Sequence, residues 1–106
     1  MVKCYRQGDV LLVEVALGPS DVRPVPREQG RLVLAHGEVT GHAHVVADPA
    51  AQLVTREEAD ELYLVVYGGE VALEHEEHDT IPLPPGSYRV IRQREYTPES
   101  VRFVAD

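Results

Sequence analysis

The stretch RLVLAHGEVTGHAHVV, residues 31–46, decides how the chain is read. It holds two short runs, RLVLAH and HAHVV, separated by EVT between Gly37 and Gly41. Short runs rich in β-branched residues and bounded by glycine read as strands. Side chains two apart on a strand share a face. In the first run Leu32, Leu34 and His36 therefore lie together, and in the second His42 and His44 aim two imidazoles at one volume of space.

The pattern continues in both directions. Residues 10–17, VLLVEVAL, read as a first strand, and residues 18–30, with three prolines and two glycines, read as a loop. Residues 48–62 are ambiguous. Asp48-Pro49 and the capping-box spacing of Thr55 and Glu58 allow a short helix or turn there, but the apolar positions lack a clean helical stripe. LYLVVYGG from Leu62 reads as a strand that reaches a Gly-Gly turn, and EVALEH from Glu70 reads as its hairpin return. TIPLPPG is a proline-interrupted edge segment, and SYRVIRQREY and SVRFVA are the last strands. The sum is about eight short strands with little helix. The expected fold is all-β, a single domain over residues 1–106 forming a small β-barrel or sandwich.

Four of the five histidines stand in two close pairs. His75 ends the stripe Val71, Leu73, His75 and so points inward, while His78 follows three residues later in HEEHD. A regular strand would place His78 on the opposite face, but a tight turn or bulge after His75 would bring it back. Imidazole is a common ligand of transition metals, and catalytic sites often use three protein ligands and leave one position open. His42, His44, His75 and His78 are the candidate ligands of a Zn, Ni or Fe ion. Glu74, Glu76, Glu77 and Asp79 would complete or orient that set. In a catalytic version the metal polarises an oxygen of a small-molecule substrate, and Glu74, Glu76 or Glu77 accepts the proton. The bland reading is a solvated acidic turn beside a surface histidine pair. Two further readings stay open: a metal-free hydrolase or nuclease with paired histidines as acid and base, and a non-enzymatic interaction module. His36 reads as a strand-end residue, beside the site or at the surface.

Ten basic against 18 acidic residues leave a net charge of −8, which disfavours a nucleic-acid substrate. The lone Cys4 excludes an internal disulfide, fits a reducing cytoplasm and reads as buried and inert. No segment reads as a membrane span, and a homo-oligomer is compatible with the pattern. In RQREY, Arg92 and Arg94 share a face with Tyr88 and Tyr96. Such arginines can contact an anionic substrate, with Arg94 as the candidate, or belong to a structural ion-pair network with Glu95, Asp9 or Asp106.

GHAHVV followed by IPLPPGSYRV resembles the cupin family, whose small β-barrels carry an H-x-H strand and a later P-x-G turn. His42 and His44 match the first motif and Pro84-Pro85-Gly86 the second, while Arg89 stands where the resemblance expects a further histidine. A cupin-like barrel with a histidine-held metal is what this implies. The wider pattern, RQGDVLL, HGEVTGHAH, HEEHDTIPLPPGSYRV and QREYTPE, is similar to small uncharacterised proteins of bacteria and phages and implies no activity.

Overall fold

Ten strands and no helix occupy the described residues of the computed structural model, which are 2–17, 22–37, 42–56 and 61–92. The strands are β1 (Cys4–Gln7), β2 (Val10–Glu14), β3 (Val22–Pro24), β4 (Leu32–His36), β5 (Ala43–Val46), β6 (Ala51–Arg56), β7 (Glu61–Val66), β8 (Val71–Leu73), β9 (Ile81–Leu83) and β10 (Gly86–Arg92). Six form one antiparallel sheet in the order β1-β2-β10-β7-β6-β3. β4 pairs with β5 and β8 with β9. A backbone bridge, Val45 to Glu74 and back at 2.9 Å each way, ties these two ribbons together.

Alternation explains which faces are buried. Val10 and Leu12 on β2, Leu53 on β6, Leu64 on β7 and Tyr88 and Val90 on β10 turn to the core. There they meet Leu32, Leu34 and Val46 from one ribbon and Val71, Leu73 and Leu83 from the other. Each such side chain contributes about 1.5–3 kcal/mol when fully buried. The sheets do not close on one another, so the arrangement is sandwich-like.

Several expectations change. The ambiguity over residues 48–62 resolves to a strand at 51–56: all six residues of β6 pair with β7, and Ala51, Leu53 and Thr55 alternate along one face. Thr55 thus lies within a strand, and Glu58 lies outside the described residues. β7 does not form a hairpin with β8. Both of its edges are taken, by β6 and β10, and the chain past Gly68-Gly69 crosses to the other layer. β3 lies within the expected loop. β1 was absent from the expected strands because CYRQ carries no apolar stripe. Cys4, expected to be buried, is exposed at the start of that edge strand. The expected SVRFVA strand lies outside the described residues.

Candidate functional site

Three chain segments meet at the end of the β1–β2 hairpin: the turn Gln7-Gly8-Asp9, strand β5 with His42 before it, and residues 74–79 after β8. His44 and His75 have ring centroids 4.3 Å apart, His75 and His78 4.6 Å, His42 and His75 5.9 Å, and His44 and His78 5.9 Å. All four predicted histidines therefore gather in one cluster. The bend at residues 76–78 returns His78 toward His75, as a turn there would. His36 joins none of these ring contacts. It is exposed on β4, with its Nε2 3.3 Å from Glu28.

Gln7 organises the cluster. It is 2% exposed, and its Nε2 donates to the carbonyls of Leu73 and Asp79 at 3.0 Å each. Carbonyls only accept, so the amide orientation follows, and Oε1 must be the atom facing His44. Nδ1 of His44 stands 2.7 Å from that oxygen and carries the proton it donates. The other nitrogen of a neutral His44, Nε2, then holds a lone pair. It points at Oδ1 of Asp9, 3.2 Å away. Burial and the adjacent His75 hold the His44 pKa below its ordinary value despite Asp9, so the neutral ring is favoured.

The other side chains have distinct tasks. Nδ1 of His75 accepts from the Glu77 N–H at 3.0 Å, so its ring proton is on Nε2. His42 Nδ1 lies 3.6 Å from the Glu77 carboxylate. Glu76 accepts from the Ala43 N–H at 3.1 Å, and backbone hydrogen bonds hold its carboxyl below the usual range. It therefore pins the 74–79 segment to β5. Glu74 bridges Val45 through its backbone while its side chain is exposed. Gly8, at φ 59°, lies under His78: a Cβ there would stand 2.7 Å from His78 Nε2. Among the described residues, no group of three or more His, Cys, Asp or Glu is placed so as to hold a metal ion.

Beside His75 a cavity of about 200 Å³ is walled by Arg31, Ala43, Val45, Glu74, Glu76 and Thr80. The register Arg92–Val10–Gln7 places Arg92 in the same cross-strand row as Gln7, two strands away. Arg92 lines a different cavity, of about 270 Å³, with Arg89 and Glu61. Arg89 lies 3.8 Å from Glu61, an ion pair of the structural kind. Arg94 and Tyr96 lie outside the described residues.

The sequence reading missed Gln7, Gly8 and Arg31 and did not place Asp9 at this site. The polar triplet QGD, set between CYR and VLL, was the available signal for three of them.

A family model described as a domain of unknown function, DUF8820, matches residues 6–93. The chain belongs to the DUF8820 family. The match takes in Gln7, Asp9 and all four clustered histidines, so the whole candidate site lies within the family region. Neither the curated proteins nor the solved structures provide a match. Among the described residues, no helix is long and apolar enough to cross a membrane.

Proposed function

We propose that this DUF8820 protein binds one transition-metal ion, Zn, Ni or Fe, through Nε2 of His44 and Oδ1 of Asp9, with His78 as the third ligand. The observation that carries the reading is the 3.2 Å approach of His44 Nε2 to Asp9 Oδ1, two acceptors in the neutral tautomer that Gln7 selects. Two lone pairs at that distance need a cation or a proton between them. Two ligands each about 2.0–2.1 Å from one ion, at a tetrahedral angle, stand roughly 3.3 Å apart. Gln7 supplies the outer support, because its acceptor on Nδ1 selects the tautomer that frees Nε2.

His78 would supply the third nitrogen from its place over Gly8, where a Cβ would stand 2.7 Å from its Nε2. His42 and His75 flank the ion, and His75 binds it only by giving up the Glu77 N–H. The cupin likeness of His42, His44 and Pro84-Pro85-Gly86 supports the same reading; the likeness to bacterial and phage proteins concerns sequence pattern alone. An ion held by these residues would supply a Lewis acid for an oxygen of a small molecule, and the exposed Glu77 carboxylate, 3.6 Å from His42, would be available to accept a proton. A reducing cytoplasm suits the exposed Cys4 thiol.

A second reading, metal-free proton transfer, is favoured by the same His44–Asp9 pair. Elemental analysis of protein purified without an affinity tag, with thermal shifts on adding Zn, Ni or Fe(II), separates the two. The expected result is about one ion per chain and a raised Tm, since a ligand of the native state stabilises it by mass action. His44→Ala and Asp9→Asn lose the ion, and His36→Ala keeps it. Protein that stays metal-free and shifts with none of these ions overturns the metal reading; activity surviving in that state supports the second.

A further inference from the structure

The metal reading leaves Arg31 without a task. Arg31 lines the cavity beside His75, and its side chain makes no hydrogen bond or ion pair among the described residues. Resting on that metal reading, we infer that this cavity is the binding pocket for a small carboxylate, anchored by Arg31.

The donors fit an oxyanion. A guanidinium presents paired N–H groups that match a carboxylate in its plane. His75 adds a second donor. Its Nδ1 is occupied in accepting from Glu77, so Nε2 carries the proton. The Thr80 hydroxyl is on the same wall. The floor is closed to backbone recognition, because Val45 and Glu74 satisfy each other's N–H and C=O. Recognition therefore falls to side chains.

The volume sets the size. About 200 Å³ holds roughly six or seven waters at about 30 Å³ each. That is room for a ligand of malonate size, well below the roughly 300–1,000 Å³ of drug-sized sites. One guanidinium pairs with a carboxylate or a phosphate alike, but the further oxygens and charge of a phosphate take more donors than this lining offers.

Charge makes the binding conditional. Of the lining residues, Glu74 and Glu76 outweigh Arg31, so the cavity lining by itself repels anions. A divalent ion at the cluster reverses that balance. Carboxylate binding should thus require both the metal and Arg31.

The test is calorimetric titration of malonate, and separately of inorganic phosphate, into metal-loaded and chelator-treated protein. Wild type and Arg31→Ala are compared, with Arg31→Lys as the conservative variant, and metal content and Tm are measured on each. The expected result is malonate binding to the loaded wild type alone. Arg31→Ala should weaken it by roughly ten- to hundredfold, the loss of a charged hydrogen-bonding partner. Arg31→Lys should restore part of that loss. Metal content and Tm stay at wild-type values in both variants. Equal malonate binding by Arg31→Ala overturns the inference while leaving the metal reading intact, as does tighter binding of phosphate than of malonate. Loss of metal in Arg31→Ala overturns it too, by making the arginine part of the ion site. Wild type that takes up no metal sinks the metal reading, and the carboxylate pocket falls with it.

Discussion

His44 Nδ1 and Gln7 Oε1 stand 2.7 Å apart, joining side chains 37 positions distant in the chain. The same glutamine holds the carbonyls of Leu73 and Asp79, so one amide links β1, β5 and the segment after β8. Gln7→Ala would strand three buried or half-buried polar groups at once. The expected cost is roughly 2–4 kcal/mol, and because buried unpaired groups dominate, Gln7→Leu should cost a similar amount. Urea denaturation measures it; a loss under about 0.5 kcal/mol would mean that solvent replaces these bonds.

Gly8 is constrained twice, by its φ of 59° and by the 2.7 Å approach that a Cβ would make to His78. Gly8→Ala should lower stability by about 1–2 kcal/mol from backbone strain alone. It should also push the His78 ring aside. In the metal reading, affinity for the added ion then falls while Gly30→Ala, where a Cβ would meet nothing within 4 Å, costs backbone strain only. Affinity unchanged in Gly8→Ala would remove His78 from the ligand set.

Tyr63 donates to the Glu61 carboxylate. That hydrogen bond holds the Tyr63 pKa above 10.0 and the Glu61 pKa below 4.5. A raised phenol binds its proton more tightly folded than unfolded. Its contribution is complete below pH 10.0 and is lost as pH rises through the folded value. A depressed carboxyl does the reverse: its contribution is present above pH 4.5 and lost as pH falls through the folded value. Tyr63→Phe should flatten both limbs of a Tm-against-pH curve. An alkaline limb unchanged by Tyr63→Phe would assign that limb to other groups, with the buried Tyr88, whose pKa is also raised, as the next candidate.

His36 and Glu28 face each other at 3.3 Å on the surface. Exposed pairs contribute little, so His36→Ala should change stability by less than about 0.5 kcal/mol in thermal or urea unfolding. A larger loss would show that His36 supports the β4 end of the cavity it lines with Arg92.

Local patterning carried much of this. The β-branched runs at 32–36, 43–46 and 61–66 form strands, and the two histidine pairs occupy one cluster. Patterning is indecisive at β6, where capping-box spacing competes with a strand, and pairing with β7 along its whole length outweighs that weak local signal. It failed at β7, where a Gly-Gly turn suggests a hairpin that both occupied edges exclude.

The sequence by itself determined the all-β class and the candidate imidazoles, because strand period and residue chemistry are local properties. Only the tertiary structure decided how the imidazoles are presented. Which nitrogen of His44 carries the proton depends on Gln7, whose own orientation depends on carbonyls at Leu73 and Asp79, far along the chain. Hydrogen-bond partners are set by three-dimensional packing between sheets, and no periodicity within one strand encodes them.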